Sequence, residues 1–465
     1  MKTETTRAAP DRPGQGETLP ADAPAVQEQS LRREAGLFQV VTYGVGNIIG
    51  AGIYVLVGDA SGLAGNYVWL AFLVGAVVAL FTGLSYAELA AVYPKAASEY
   101  VFLGKAYGNR TLSFLTQWMM LVTEVVAAAA VALGFAGYLS TVVQVPLIPT
   151  AAALLVVVTV VALAGVRQSL VVNTVLSLVA VGGLLLVVGA GVGRFGSVSY
   201  TQSANGVPGI LAATILVFFA YIGFDNISNL SEETKRPEKT VPRGLLISLS
   251  LSTILYILVG IASVSLVSWP KLSASEAPLA LAVSTVLGRP GFDVLTVTAL
   301  LTTLNTVLVL LMVSSRIIYG LGREGALPRV LGKVDKRTGA PIVASVFTLA
   351  VALAVLPLGQ IGTIAKVTSF GSLLTFALVN VAMLHLRRVA PHLSRPFRVP
   401  LSVGWVSVTG LLGVVSCVVL LSQFDVLSFT LGMLLPVSGV ALDVLMRGRG
   451  GLTSTDRSLH QPHEP

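Results

Sequence analysis

The sequence predicts an all-α polytopic membrane protein that crosses the bilayer about twelve times, and three observations carry that expectation. Residues are 54% hydrophobic and only 11% charged, whereas a soluble globular chain carries about 25% charged residues. Apolar stretches of about 20 residues, the length that spans a hydrocarbon core, recur along most of the chain. Lysines and arginines gather in short clusters between those stretches, as the positive-inside rule requires. The formal charge of +8 is therefore topological, and a nucleic-acid partner is excluded.

Residues 1–31 are rich in Pro, Ala, Glu and Gln without an apolar core. A disordered cytoplasmic tail is expected there, not a signal peptide. Spans are expected at 37–58, 68–92, 112–140, 147–165, 170–192, 208–230, 244–267, 292–320, 341–357, 361–386, 403–422 and 426–446. A short interfacial helix is expected at 98–108 and a second cytoplasmic tail at 447–465. With the N-terminus inside, Arg32, Arg33, Lys95, Lys105, Arg110, Arg167, Lys235, Arg236, Lys239 and Arg243 all fall on the cytoplasmic side. Arg323, Arg329, Lys333, Lys336, Arg337, Arg387, Arg388, Arg395, Arg398, Arg447 and Arg449 join them. Arg194, Lys271, Arg289 and Lys366 fall opposite. Both termini are then cytoplasmic, in a multi-pass protein of the cytoplasmic membrane.

Two spans contain breaks. Gly44, Gly46, Gly50 and Gly52 place four glycines in nine residues of the first span, each about 1 kcal/mol worse than Ala in a helix interior. Close packing between helices is one explanation; a helix that opens to present backbone groups to a ligand is the other. In the sixth span, Gly223, Asp225, Asn226 and Asn229 interrupt an apolar run. A carboxylate at mid-bilayer costs at least about 2.5–3.5 kcal/mol, so Asp225 should face protein, ligand or water. Five spans, an odd number, separate the breaks, so units 32–192 and 208–387 would have opposite orientations, with 403–446 forming two further helices. Paired interrupted helices in inverted units point to the binding site of a secondary transporter. Amides opening the second half of the first helix favour a carboxylate, and carbonyls closing the first halves favour an ammonium group. An α-amino acid zwitterion suits such a site.

Other chemistries are absent. Cys417 lies in an apolar segment and is assigned to packing. His385, His392, His460 and His463 have no metal-ligating partners, so no metal, cofactor or catalytic residue is expected. No nucleotide-binding P-loop occurs. The chain is not expected to be an enzyme.

The segments Gly46-Asn47-Ile48-Ile49-Gly50-Ala51-Gly52-Ile53 and Phe218-Phe219-Ala220-Tyr221-Ile222-Gly223-Phe224-Asp225, together with Glu232-Glu233-Thr234, Arg236-Pro237, Gly322-Arg323-Glu324-Gly325-Ala326-Leu327-Pro328 and Arg395-Pro396-Phe397-Arg398-Val399-Pro400, occur in order over residues 36–446. In these marks the chain resembles the amino acid–polyamine–organocation (APC) superfamily, close to its cationic amino acid transporter branch. The resemblance implies the leucine-transporter fold, a five-plus-five inverted repeat with broken helices 1 and 6, followed by two helices. It also implies that the substrate carboxylate meets amides around Ala51 and Gly52, with Gly50 keeping the approach open. The ammonium would meet carbonyls of Ile48, Phe219 and Ile222. Phe219 falls at the family's aromatic lid, with a core or lipid-facing aromatic as the alternative, and Asp225 at an acidic position of a cytoplasmic gate.

Two departures bear on coupling. Registering on residues 165–169 puts Ala180 where proton-coupled members of the branch carry a lysine, and 170–192 contain no lysine. Thr123 stands at the branch's usual glutamate, with Glu124 one residue later; one position turns a helical side chain by about 100 degrees, so the two need not face one cavity. Glu124 is either a proton-titrating or substrate-sensing acid or a hydrogen-bonded interhelical one. Asn305 is assigned to helix–helix contact and Ala127–Ala130 to close packing. The expected substrate is a neutral or broad range of L-amino acids, with a cationic amino acid or polyamine as the alternative. Proton, sodium or a counter-substrate remain open as coupling partners, as do monomer and homodimer. A non-transporting amino acid receptor is the alternative of another class. On this reading Gly52→Val removes carboxylate binding and leaves folding largely intact.

Overall fold

The computed structural model describes residues 35–95, 98–163, 170–323, 326–335 and 340–448. Nearly all of the two tails, the whole of the 165–169 register segment, Lys336, Arg337 and the Glu324-Gly325 pair lie outside the described residues. The described residues are mostly helical: α1 (Leu37–Ile48), α2 (Ala51–Ala64), α3 (Val68–Val92), α4 (Ser98–Tyr107), α5 (Arg110–Ser140), α6 (Leu147–Leu163), α7 (Leu170–Val192) and α8 (Gly206–Phe218). A short α9 (Asn226–Asn229) precedes α10 (Pro237–Leu266), α11 (Trp269–Ser273), α12 (Pro278–Arg323), α13 (Ile342–Val355), α14 (Ile361–Val389), α15 (Val408–Leu421) and α16 (Val426–Gly448). A two-residue hairpin, Ser402–Val403 paired antiparallel with Val406–Ser407, sits between α14 and α15.

Among the described residues, eight continuous helical stretches are long and apolar enough to cross a membrane, and Leu147–Leu163, Ile342–Leu358 and Val408–Leu421 are shorter apolar helices. The periodic apolar segments thus become helices close to where the sequence put them. One difference is at the eighth span. Helix α12 begins 14 residues before the expected start at 292, and its first turns are set off by a kink at Gly288, whose φ is 62°. Tyr54, Tyr86, Tyr138, Tyr221 and Tyr256 are all fully buried, and each of their hydroxyls finds a polar partner, as buried tyrosines require.

The packing centres on the broken helices. Helix α2 packs on α8, α1 on α10, and α5 on both α12 and α14. The chain entering α1 and the chain leaving α9 are stitched together: Ala35 N–H donates to Glu233 O at 3.0 Å and Lys235 N–H donates to Ala35 O at 2.8 Å. That short bridge gives the Glu232-Glu233-Thr234 segment a structural purpose. It fixes the chain leaving the second break against the chain entering the first.

A cavity between two broken helices

Helix α1 closes at Ile48, with Ile49 N–H still donating to Val45 O at 2.7 Å. Gly50 is extended (φ −91°, ψ −150°), and α2 starts at Ala51 with no side-chain cap. The first amides of a helix have no partner within it, so the N–H groups at the start of α2 are open to a ligand. The second break is built differently. Helix α8 tightens into a 3₁₀ turn at Phe219–Tyr221, Ile222 turns extended, and Gly223 takes a φ of 115°. A Cβ at Gly223 would lie 2.8 Å from Asn47 O, so only glycine lets the two breaks approach. Gly223 N–H donates to Asp225 Oδ1 at 3.0 Å, which fixes the turn before α9.

Between the breaks lies a cavity. Ile48, Gly50, Ala51 and Gly52 line it from the first break, and Phe219 and Ile222 from the second. Glu124 and Thr123 enter from α5, and Asn305 and Thr306 from α12. Asp225 does not line it; it is 1% exposed and engaged in the Gly223 turn. Met120, Ala127, Val131, Val309 and Leu310 supply apolar wall, and Asn47, Asn226 and Thr368 add further polar groups. Asn47 Nδ2 and Thr123 Oγ1 are buried without a hydrogen-bond partner among the described residues. Buried polar groups are rarely left so, and Asn47 and Thr123 both belong to the cavity wall.

Several expectations change in detail. Thr123 and Glu124 both line the same cavity despite their one-residue offset. Asn305 lines the cavity instead of serving only as interhelical contact, and Ala127 is wall as well as packing. A Cβ on Gly52 would stand 2.7 Å from Ala220 Cα. Gly52→Val therefore drives α2 off the second break, and the expectation of intact packing fails. The Phe219 carbonyl accepts from Ile222 N–H at 3.3 Å within its own turn, and the Ile48 carbonyl already has a partner.

That partner is Tyr256, which the sequence reading missed. From α10 its hydroxyl sits 2.6 Å from Ile48 O and 3.0 Å from Ala220 O, so one O–H group bridges the ends of both broken helices. Its ring is fixed by Phe72 and Tyr221, with centroids at 5.5 and 5.3 Å. A lone tyrosine in an apolar span carries no sequence signal for this; only the fold brings 48, 220 and 256 together. Another tyrosine works at Ala180. Its carbonyl accepts from the Tyr54 hydroxyl of α2, so position 180 does face the first broken helix, through its backbone and not through a cationic side chain.

Beneath the cavity lies a polar network. Ser228 Oγ donates to Ser98 Oγ at 2.7 Å, Ser98 Oγ to Glu99 Oε2 at 3.1 Å, and the Tyr86 hydroxyl to Glu99 Oε1 at 3.0 Å. It joins α9, just after the second break, to α4 and α3. The Arg395-Pro396-Phe397-Arg398-Val399-Pro400 segment is explained by a buried ion cluster. Glu88 of α3 pairs with Arg387 of α14, with Arg395 at 3.3 Å, and accepts from Val399 N–H at 2.8 Å.

A family model described as "Amino acid permease" matches residues 36–437. The branched-chain amino acid permease BcaP of Bacillus subtilis is 29% identical over 401 residues, covering 80% of this chain and 85% of its own. The methylthioribose transporter of the same organism is 28% identical, with 83% and 87% covered. Cationic amino acid transporter 4 of Mus musculus is 31% identical, covering 78% of this chain and 61% of its own length.

Proposed function

Because the chain belongs to the amino acid permease family of the APC superfamily, we propose that it is a secondary transporter that carries L-amino acids across the cytoplasmic membrane by alternating access. In this reading the spans form twelve transmembrane helices of the leucine-transporter type. Units 32–192 and 208–387 are inverted repeats, 403–446 supply the last two helices, and both termini are cytoplasmic. The observation that carries the proposal is the single cavity lined by both helix breaks, with uncapped amides at the start of α2 on one side. Those amides bind the substrate carboxylate at Gly50, Ala51 and Gly52. The ammonium group docks against carbonyls at Ile48, Phe219 and Ile222, helped by Asn47 or Thr123. Phe219 covers the bound substrate. Asp225, which holds the turn between the halves of the second broken helix, acts in the gate on the inner side.

The side-chain end of the cavity is mostly apolar, from Met120, Val131, Val309 and Leu310, which favours neutral substrates of moderate size. The branched-chain permease relative points the same way. One observation supports the cationic alternative: Glu124 places a carboxylate in the wall. Purified protein in liposomes, given radiolabelled leucine, alanine, lysine and arginine under imposed proton, sodium or counter-substrate gradients, tests the proposal. Uphill accumulation of neutral amino acids under at least one gradient supports it. Binding with no flux under any gradient overturns transport in favour of a receptor, and preferential flux of lysine or arginine, abolished by Glu124→Gln, overturns the neutral assignment.

A further inference from the structure

A second cavity lies at the far end of α14, away from the broken helices, with about 690 Å³ of space between atoms. Arg387, Arg395, Arg398 and Trp405 are among its lining residues. Two of these guanidiniums are already satisfied. Arg387 pairs with Glu88 and donates to Ser402 Oγ at 2.6 Å. Arg395 donates Nη1 to Leu393 O and Nη2 to Leu386 O and Ala390 O, at 3.0–3.1 Å. The outer pair is freer. Arg398 is exposed and donates Nη2 to Gly404 O at 3.1 Å, and the exposed Arg388 lies 5.8 Å over the Trp405 ring. With Glu88 the carboxylate that pairs with this cluster, three lining guanidiniums, and Arg388 stacked on the lining Trp405, leave an excess of positive charge at this opening.

The hairpin that closes the other side of this opening is apolar at its surface. Leu401 is 70% exposed, Val403 75% and Trp405 49%. Three large apolar residues at alternate positions of one exposed loop are costly in water but suited to a bilayer interface, where tryptophan is enriched. From this juxtaposition we propose that the pocket binds the phosphate headgroup of an anionic phospholipid, held by Arg398 and Arg388 while Leu401, Val403 and Trp405 insert beside its acyl chains. Basic pockets at the ends of membrane helices recognise such headgroups through charge. Arg387 and Arg395, tied to Glu88, form the rigid floor that holds the loop in place. The apolar hairpin selects a lipid over a free phosphate, which shares the headgroup's charge but has nothing to place against those side chains.

The test uses the full-length protein in detergent micelles doped with phosphatidylglycerol and phosphatidylcholine, with retained lipid read by native mass spectrometry. Wild type should retain phosphatidylglycerol over phosphatidylcholine. Arg398→Gln should lower that retention roughly fivefold, and Arg388→Gln with Arg398→Gln roughly thirtyfold. Arg243→Gln, an exposed arginine on α10, makes the same change in net charge and should have no effect. A large excess of inorganic phosphate should leave the lipid bound. Equal retention of both lipids by wild type, unchanged retention in the double variant, or displacement by phosphate would each overturn the proposal. Both substituted arginines are exposed, and the single variant carries the test if the double one does not fold.

Discussion

Replacing Tyr256 by Phe removes one hydroxyl and leaves the ring, with its contacts to Phe72 and Tyr221, in place. The lost O–H serves two carbonyls, Ile48 O at 2.6 Å and Ala220 O at 3.0 Å, and these close the first halves of the two broken helices. One proton fully satisfies one acceptor, so the cost is that of a single buried hydrogen bond left unmade, about 1–3 kcal/mol. The energy is released by letting the two ends shift, and the cavity lies between them. If that cost is expressed in substrate binding, affinity falls between about fivefold and about 150-fold. The assay is equilibrium binding of the transported amino acid to purified protein, alongside thermal unfolding. Tyr138→Phe is the control: its hydroxyl donates to Tyr54 O at 2.8 Å within α2, so it should lower thermal stability by a comparable amount without changing affinity. Wild-type affinity in Tyr256→Phe, or an equal loss in Tyr138→Phe, refutes the idea that Tyr256 sets the geometry of the breaks.

Three further outcomes are expected. Gly50→Ala places a Cβ 3.1 Å from Thr306 Oγ1, a contact a rotatable side chain can relieve, so the fold should persist while substrate affinity drops by about tenfold, the equivalent of about 1.4 kcal/mol; wild-type binding would remove Gly50 from the carboxylate site. Glu88→Gln strips the carboxylate from buried Arg387 and from Arg395 and should cost about 3–5 kcal/mol, read as a fall in Tm in detergent, which a change of less than about a degree would contradict. Burial, then the charge of Asp225, pushes the Glu99 carboxyl up from 4.5 to about 7. Its contribution to stability is therefore complete below the ordinary value and is lost as pH rises through about 7. Glu99→Gln should flatten Tm against pH across that window, and an unchanged slope would show that another group titrates there.

The sequence carried the architecture because a bilayer imposes a simple rule, that every span must be apolar and helical. The ends of α3, α5 and α7 fall within two residues of the expected apolar spans. The breaks were legible for the same reason, since glycines and amides in an apolar run violate that rule visibly. What could not be read was any partnership across the chain. Thr306, Asn305 and Tyr256 are ordinary residues in their own helices and gain roles only when α10 and α12 are laid against the breaks. Gly52 shows the converse. Its place in the break suggested an amide for a carboxylate, but its missing side chain also makes room for Ala220. The Arg395–Pro400 segment was visible as a family mark without a reason, because Glu88, its partner, lies some three hundred residues earlier.

The central claim is that main-chain groups at the two breaks hold both charges of an amino acid. Competition against the radiolabelled amino acid in purified protein tests it most directly, comparing the unlabelled parent with its carboxamide and its N-acetyl derivative. Loss of either charge removes interactions with helix-terminal groups worth up to about 2 kcal/mol each, so both derivatives should compete more weakly than the parent, by up to about thirtyfold. A carboxamide that competes as well as the parent amino acid would contradict the account.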